Sequence, residues 1–397
     1  MESWTVPAPA PLVRSGLAPQ VRVHDTASGS LQPVGPREPT EPVRIYACGI
    51  TPYDATHLGH AHTYVSLDIL HRVLLDAGHS VRLVQNITDI DDPLFARARL
   101  TGEPWQHIVA RESGLFAEDM AALRVLPPLA YVAASEAIEE VRALIAMLTD
   151  KAATYPLTGD LYFDLTADAA LGEISHLSTP QMTALSAARG GDPGRVGKRD
   201  PRDPLLWQQS AADEPAWASP WGEGRPGWHV ECAAIAAHYC GLPLDVQFGG
   251  RDLIYPHHEM SAGHARVAHG VPFARVFAHS AMVWFEGEKM SKSLGNLVLV
   301  STLRATGVDP ATIRLAILAH RWREDWEYTP EVLTHADRRR QRWAIPGHAM
   351  PATVLAEVRT CLWDDLDTPA ALSVLDGAAA AGTDVRGVAA TLLGVGL

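Results

Sequence analysis

Cysteine, long apolar runs and net positive charge are all scarce in this sequence of 397 residues. Its four cysteines are widely spaced, which excludes the disulfide framework of a small secreted domain. No apolar run reaches the roughly 18 residues that a membrane-spanning helix needs. The first twenty residues contain four prolines and no continuous apolar stretch, unlike a secretory signal. We therefore expect a cytoplasmic protein without a membrane partner.

The charge balance is acidic. The chain has 33 basic and 46 acidic residues and a net charge of −13. Proteins that grip a nucleic-acid backbone usually carry a basic surface, because phosphate contacts supply much of the affinity. The acidic net charge thus disfavours an RNA partner, although a protein with this net charge can still carry a local basic face. The length and the 47% hydrophobic content predict two or three structural units around a sizeable core.

Lysine is also rare, since four of the 33 basic residues are lysine and the rest are arginine. Two of these lysines, Lys289 and Lys292, lie in one short segment. A lysine ammonium is compact and mobile, whereas an arginine guanidinium is a planar fork suited to fixed bidentate contacts. Their placement indicates a flexible loop that grips polyphosphate, with Gly287 and Gly295 allowing it to close and reopen. The alternative is a solvated loop with two charges.

The pattern of strands and helices predicts an α/β fold. A strand at 44–48 is followed by an amphipathic helix through 64–74, and a second strand opens at Val81. This βαβ unit is typical of a doubly wound parallel sheet, and strand-like segments resume at 245–248 and 276–278.

The domain organisation follows from these elements and from the loop-rich stretches between them. We predict an N-terminal arm or hairpin, a catalytic domain in two pieces, an inserted subdomain and a C-terminal helical domain. In that order the residues are 1–41, 42–103 with 227–300, 104–226 and 301–397.

His57 and His60 stand where the loop after the first strand enters the helix. Ligands of open α/β sheets bind at this edge, and a helix N-terminus offers N–H groups and positive potential to phosphates. Imidazoles there can donate to the negative charge that develops in a transition state. By themselves, two histidines three residues apart are more often surface or cap residues.

Cys48, Cys232 and His257 form a third constellation. None of them shares a short metal-ligand spacing with another, so the spacing alone favours buried structural cysteines.

Several segments, in order along the chain, resemble cysteinyl-tRNA synthetases, a family of class I aminoacyl-tRNA synthetases. His57-Leu58-Gly59-His60 and the KMSKS run at 289–293 resemble the two class I signatures. The remaining segments that carry the resemblance are 47–54, 86–92, 227–232 and 256–259. The resemblance covers the chain to about residue 335. It implies a class I synthetase-type, Rossmann-like doubly wound sheet with an inserted subdomain, followed by helices.

The resemblance also implies a metal site. In that family a zinc ion held by two cysteines, a histidine and a glutamate binds the substrate thiol, which maps here onto Cys48, Cys232 and His257. The expected glutamate, four residues after the histidine, is Ser261 here. Water or substrate would complete a three-ligand zinc shell, or Glu259 would substitute.

The resemblance implies a cysteinyl-adenylate pocket in which Asp252 accepts hydrogen bonds from the ribose and Val283 abuts the adenine. The implied pocket residues are Cys48, Gly49, Ile50, Thr51, Thr63, Asn86, Ile87, Thr88, Trp228, Gly250, Arg251, Asp252 and Val283. The implied catalytic residues are His57, His60, Lys289 and Lys292. The nearby Asp89, Asp91 and Asp92 are equally well explained as the acidic start of a helix.

The insertion and the C-terminus resemble a relative that lacks the RNA-reading end, the mycothiol-pathway ligases. Their Gly-Gly-Asp-Pro segment matches 188–193, and too few residues follow 335 for both a helical domain and an anticodon-binding domain. The resemblance implies a monomer that uses ATP, with Mg²⁺, to join L-cysteine to glucosaminyl-inositol, without tRNA. The sequence does not identify the residue that deprotonates the amine; His229, His258 and Glu231 are only neighbours of the pocket by motif.

Two other functions stay open. A compact cysteinyl-tRNA synthetase would use Arg338, Arg339, Arg340 and Arg342 as a tRNA contact, although such a run is usually a solvated helix face. The other hypothesis is a non-catalytic regulatory protein that binds zinc or a nucleotide.

Overall fold

A computed structural model describes residues 2–13, 20–53, 56–290 and 295–397. Lys292, a predicted catalytic residue, lies outside the described residues.

The strands are numbered in chain order. They are β1 (Val21–Asp25), β2 (Ser30–Val34), β3 (Val43–Ala47), β4 (Val81–Ile87), β5 (Ala130–Ala133), β6 (Thr154–Leu157), β7 (Asp160–Phe163), β8 (Leu205–Gln208), β9 (Arg225–Pro226), β10 (Leu244–Gly250), β11 (Ala274–Ser280), β12 (Val283–Phe285), β13 (Glu288–Lys289) and β14 (Trp326–Glu327).

The α-helices are numbered likewise. They are α1 (Leu58–Asp76), α2 (Asp92–Thr101), α3 (Trp105–Ala122), α4 (Ile138–Asp150), α5 (Thr179–Ala188), α6 (Trp228–Ile235), α7 (Glu259–His269), α8 (Val300–Ala305), α9 (Pro310–Leu318), α10 (Pro330–Trp343), α11 (Ala352–Trp363), α12 (Thr368–Ala380) and α13 (Arg386–Leu392). None of these helices is both long and apolar enough to span a bilayer.

The central sheet confirms the predicted α/β class. Its order is β11-β10-β3-β4-β5, and every neighbouring pair is parallel. The chain passes from β3 to β4 on one side, while β10 lies on the other side of β3. The loop after β3 therefore stands where the strand order reverses, which is where open α/β sheets bind ligands.

Helix α1 crosses the sheet next to this loop. It is apolar on most of its circumference and lies buried between the sheet and the C-terminal helices α9, α11 and α13. Such all-round burial fits the interior of a three-layer fold.

The insertion contributes to two sheets. Strands β6, β7, β8 and β9 form a separate antiparallel sheet. Strand β5 also lies within 104–226, yet it pairs with β4 at the edge of the central sheet. The sequence reading missed this strand because helical periodicity dominates on both sides of its four residues. The domain boundaries themselves stay a proposal.

The N-terminal hairpin of β1 and β2 is tied to the edge of the central sheet. The Thr26 N–H donates to the Phe277 carbonyl at 2.8 Å, and the Phe277 N–H donates to Asp25 Oδ1 at 2.8 Å. The hairpin is thus an integral part of the fold in the described chain.

Three of the four arginines in the basic run on α10 are neutralised within the C-terminal helices. Arg339 and Arg342 contact Asp376, and Arg340 contacts Asp309 and Asp337. These arginines therefore hold α10 against the neighbouring C-terminal helices.

A buried ion cluster joins α1 to the C-terminal helices. Asp68 Oδ2 accepts from Arg72 Nε at 2.7 Å and from Arg314 Nη2. Arg314 also donates to the carbonyls of Leu123 and Leu393, and both guanidiniums are almost fully enclosed. Burial raises the pKa of Asp68, but the two guanidiniums outweigh it, so the pKa lies below its ordinary value.

Candidate active site

A cleft of about 440 Å³ opens at the carboxyl ends of β3, β10 and β11. Its volume falls in the range of roughly 300–1,000 Å³ that is typical of small-molecule sites. The lining residues are Cys48, Gly49, Ile50, Thr51, Tyr53, His57, Gly59, His60, Thr63, Tyr64, Trp228, Gly250, Asp252, Leu253, Ala281, Met282, Val283, Lys289 and Met290.

The loop after β3 is held from below by Asn86 at the end of β4. The Asn86 Oδ1 accepts from the Gly49 N–H and from the Tyr46 hydroxyl, both at 2.9 Å. Its Nδ2 donates to Thr88 Oγ1 at 3.2 Å, and the Thr88 N–H donates to the Ile50 carbonyl at 3.0 Å. Asn86 is completely buried, so its contribution is to fix the loop.

Alanine in place of Gly49 is expected to lower cysteine-dependent ATP–pyrophosphate exchange at least about 100-fold, since small misplacements in a site can cost that much. A Cβ at residue 49 would lie 1.6 Å from the Asn86 carbonyl oxygen, a backbone atom that cannot rotate away. Gly35→Ala, where a Cβ meets open space, is the matched control. Normal exchange by the Gly49 variant would show that the loop tolerates displacement.

His57 caps helix α1. Its Nδ1 accepts from the Gly59 N–H at 3.0 Å, which leaves the ring proton on Nε2. The His60 ring stacks on it with the centroids 3.9 Å apart. The two imidazoles thus line the cleft at a helix N-terminus, where positive potential favours phosphate.

The lysine segment begins in a tight hairpin between β12 and β13. Glu286 and Gly287 both have positive φ, 55° and 76°, as a two-residue hairpin turn requires. Lys289 Nζ lies 3.5 Å from Asp252 Oδ2, and Met290 is buried in the cleft wall. One predicted phosphate contact therefore stands beside the predicted ribose contact.

The fold brings Cys48, which lines the cleft, together with Cys232 and His257, which are not among the lining residues. Their ligand atoms all lie within 4.8 Å of one another, and all three residues are buried. His257 Nε2 is 3.3 Å from Cys232 Sγ. Two thiols and an imidazole are a donor set that zinc prefers, so the residues present fit such an ion.

Neighbouring rings position these ligands. Trp228 stacks on His257 with centroids 4.2 Å apart, and His229 Nδ1 lies 3.0 Å from His257 Nδ1. His258 Nε2 lies 3.3 Å from Cys48 Sγ, while its Nδ1 is 2.8 Å from His279 Nε2. Hydrogen-bonded second partners of this kind fix the orientation of metal ligands.

The side chains of Glu259, the proposed substitute, and of Ser261, at the position of the expected glutamate, both hydrogen-bond to backbone groups outside the trio. Both carboxylate oxygens of Glu259 accept backbone N–H groups of the insertion, from Gly172 at 2.9 Å and Ser175 at 2.8 Å. The Ser261 hydroxyl donates to the His229 carbonyl at 2.9 Å. Among the described residues, the metal-ligating group is the trio alone.

The two cysteines differ in acidity. Burial and the neighbouring Cys232 sulfur raise the pKa of Cys48. Burial also raises the pKa of Cys232, but hydrogen bonds from Cys48 and His257 and the His257 charge outweigh it, so that pKa lies well below its ordinary value. A lowered pKa favours the thiolate, the form of cysteine that binds metal ions.

Comparison with known proteins decides the family. The model of the class I tRNA synthetase (C) catalytic domain matches residues 36–338. The L-cysteine:1D-myo-inositol 2-amino-2-deoxy-alpha-D-glucopyranoside ligase of Thermomonospora curvata is 51% identical over 417 residues, covering 100% of both chains. This chain belongs to that ligase family. The ligases of the same name from Kribbella flavida and Kineococcus radiotolerans are 53% and 50% identical, covering 95% and 100% of this chain and 93% and 99% of theirs.

Solved structures confirm the class I synthetase fold of this ligase family member. Methionyl-tRNA synthetase of Mycobacterium tuberculosis bound by methionyl-adenylate matches with a TM-score of 0.60 at 15% identity, covering 86% of this chain and 82% of that one. A second structure of that enzyme with methionyl-adenylate gives a TM-score of 0.61 at 16% identity, with the same coverage.

Most of the residues predicted from the sequence of this ligase family member line the cleft, but some do not. Asn86, Ile87 and Thr88 lie behind the loop that they support. Arg251 points away and donates to Asp325 Oδ2 at 3.1 Å. The motif neighbours His229, His258 and Glu231 are not among the lining residues either.

The sequence reading missed Tyr53, Tyr64 and Met282 in the cleft wall, and His279 behind it. Tyr53 belongs to the segment 47–54, so position within that segment was an available signal. Helical periodicity predicted Tyr64 as a residue of helix α1. The structure buries its side chain and also places it in the cleft wall, where its hydroxyl donates to the Cys48 carbonyl at 3.1 Å. His279 had no signal, because only the parallel pairing of β10 and β11 brings it near His258.

The Gly-Gly-Asp-Pro segment of this ligase family member supports the cleft from the insertion side. Arg189 donates to the carbonyls of both Asp252 and Tyr255. Gly191 approaches the Ser186 carbonyl so closely that a Cβ would lie 2.7 Å from it. Arg189 therefore holds the segment from Asp252, the predicted ribose contact, to Tyr255, two residues before the candidate metal ligand His257.

Alanine at Arg189 is expected to lower kcat/KM for ATP in the exchange reaction about tenfold and to weaken metal retention, since the backbone at Asp252 and at Tyr255, two residues before His257, loses a fixed support. Steady-state exchange and metal content per chain check this. Arg199→Ala removes another arginine of the insertion, paired with Asp164, and should change neither quantity. Equal losses in both variants would contradict a specific role.

Proposed function

We propose that this chain is an ATP-dependent ligase that activates L-cysteine as cysteinyl-adenylate and joins it to the amine of glucosaminyl-inositol, releasing AMP and pyrophosphate. The observation that carries the proposal is identity of about 50% over the full length of ligases whose name states this pair of substrates. The geometry agrees, because Cys48 belongs both to the Cys/Cys/His trio and to the wall of the cleft.

The trio is proposed to hold zinc. Zinc bound by Cys48, Cys232 and His257 would keep one position for the substrate thiol, which it binds more strongly than a serine hydroxyl. Selection against serine would then require no editing domain.

The first step joins the cysteine carboxylate to the α-phosphate of ATP as pyrophosphate leaves. The His57 and His60 imidazoles at the start of α1 would donate to the phosphate oxygens, and Lys289 would balance the charge of the leaving group. Asp252 would accept from the ribose hydroxyls, beside Lys289. Lys292, outside the described residues, and Mg²⁺ on the ATP complete this proposal.

The neutralised arginines on α10 support an acceptor other than tRNA. With the acidic net charge they fit a monomeric, cytoplasmic enzyme that works on small molecules. We also propose the four-part organisation of residues 1–41, 42–103 with 227–300, 104–226 and 301–397.

The test is product formation from ATP, cysteine and glucosaminyl-inositol, with cysteine-specific tRNA as the acceptor in a parallel reaction. Amide on the sugar amine and no charged tRNA is the expected result. Charging of tRNA would make the chain a compact synthetase. Pyrophosphate exchange without transfer to either acceptor would contradict the proposed acceptor, and no exchange at all would favour a regulatory protein.

A further inference from the structure

The acceptor amine must lose a proton in the second step, and the structure offers a route for it through Thr51. Thr51 lines the cleft, three residues after Cys48. Its hydroxyl donates to Asp91 Oδ2 at 3.1 Å. The hydroxyl therefore connects the substrate cleft to a carboxylate that stands just outside it.

Asp91 also caps helix α2, in agreement with the alternative interpretation of this acidic segment as the start of a helix. Its Oδ1 accepts from the Asp92 N–H at 2.9 Å, and its backbone is extended, as at most N-caps. The cap uses one carboxylate oxygen and Thr51 the other, so a structural and a chemical role coexist in one side chain.

The surroundings of Asp91 make its carboxylate more basic than that of an ordinary aspartate. Asp92 is adjacent, and Arg225 on β9 contacts the Asp92 carboxylate and Glu214. Glu231 on α6 is fully buried, and neither of its carboxylate oxygens has a hydrogen-bond partner among the described residues. Burial and the Asp92 charge raise the pKa of Asp91 to about 6, with Thr51 and Arg225 acting in the opposite direction.

We propose that Asp91, acting through the Thr51 hydroxyl, accepts the proton that the acceptor amine releases when it attacks the cysteinyl carbonyl. This inference rests on the proposed function, because it concerns the transfer step. As the amine nitrogen bonds to the carbonyl carbon, the bond from that carbon to the phosphate oxygen breaks and AMP leaves. The N–H proton passes to Thr51 Oγ1, and the Thr51 proton passes to Asp91 Oδ2.

The chemistry suits an amine acceptor. A proton acceptor works best when its pKa is near the working pH, and a positioned base contributes roughly 100-fold to 10,000-fold in rate. The exchange half-reaction transfers no amine proton, so it has no need of Asp91. The two halves of the reaction can therefore be separated by experiment.

The decisive variant is Asp91→Asn. Asparagine caps helices as well as aspartate does, and its side-chain oxygen still accepts from Thr51, but it cannot take up a proton. We expect single-turnover transfer from preformed cysteinyl-adenylate to glucosaminyl-inositol to fall about 100-fold. Cysteine-dependent pyrophosphate exchange should fall no more than about threefold.

The pH profile distinguishes a proton acceptor from a merely structural cap. In the parent enzyme, transfer should rise with pH through about 6, because only the ionised carboxylate accepts a proton. Asp91→Asn should lose this limb while any limb from the acceptor's own ammonium group remains. Asp92→Asn is the matched control, because the exposed Asp92 carboxylate makes no contact with Thr51. Removing the Asp92 charge should move the limb to lower pH, while transfer at a pH well above 6 should stay within about threefold.

Normal transfer by Asp91→Asn, or an unchanged limb near pH 6, would overturn the inference. So would equal losses of exchange and transfer, which would mark Asp91 as structural. If the parent enzyme forms cysteinyl-adenylate but transfers it only to tRNA, the proposed acceptor fails first, and that result is read before any variant.

Discussion

Serine in place of Cys232 is expected to abolish metal retention and cysteine activation together. Zinc sites of this kind bind with about 12 kcal/mol, so loss of one of three ligands removes about 4 kcal/mol, or roughly 1,000-fold in affinity. The effect is large because the Cys232 sulfur, 3.3 Å from His257 Nε2, is one of only three donor atoms in the trio.

Metal per chain after dialysis and the rate of cysteine-dependent ATP–pyrophosphate exchange measure the two effects. Cys361→Ser and Cys240→Ser are the matched controls. Cys361 is partly exposed, and Cys240 contacts the Ile45 and Arg82 carbonyls, outside the trio. A Cys232 variant that activates cysteine normally without metal would refute the zinc proposal. Loss of metal in either control would mean that the ligand set is wrong.

Alanine at Asp68 is expected to lower the free energy of unfolding by about 3–5 kcal/mol, the usual cost of leaving buried charges unpaired. Two guanidiniums, Arg72 and Arg314, contact this carboxylate in the interior. They join α1, which carries the predicted catalytic histidines at its start, to the C-terminal segment around Leu393. The C-terminal helices should therefore loosen first, as hydrogen exchange would show.

Urea unfolding compares this variant with Asp364→Ala. The Arg22–Asp364 pair has the same 2.7 Å contact as Arg72–Asp68, but its side chains are 48% and 56% exposed, so its loss should cost less than about 1 kcal/mol. Equal losses would show that burial does not set the strength of the Asp68 cluster. Because the pKa of Asp68 is lowered on folding, its contribution is full above the ordinary pKa and fades as pH falls through the lowered one.

Local patterns were sufficient for much of the fold. Apolar spacing through 64–74 predicted α1, and apolar runs predicted β3, β4, β10 and β11. Short strands were not predicted, because a segment of four residues such as Ala130–Ala133 has too little periodicity to be distinguished from a loop. The strand order, which makes the loop after β3 a ligand site, depends on pairings between residues about 200 positions apart, such as Val246 with Ile45.

By itself the sequence determined the chemistry available to this protein: the α/β class, the histidine and lysine signatures, and the cysteines and histidine of the trio. Only the tertiary structure decided which of these groups meet. Cys48, Cys232 and His257 come from three distant segments, and sheet pairing and helix packing bring their ligand atoms within 4.8 Å of one another. The same packing directed Glu259 to backbone N–H groups, turned Arg251 away from the cleft and placed Thr51 against Asp91. Side-chain direction depends on contacts across the fold, and sequence spacing does not specify those contacts.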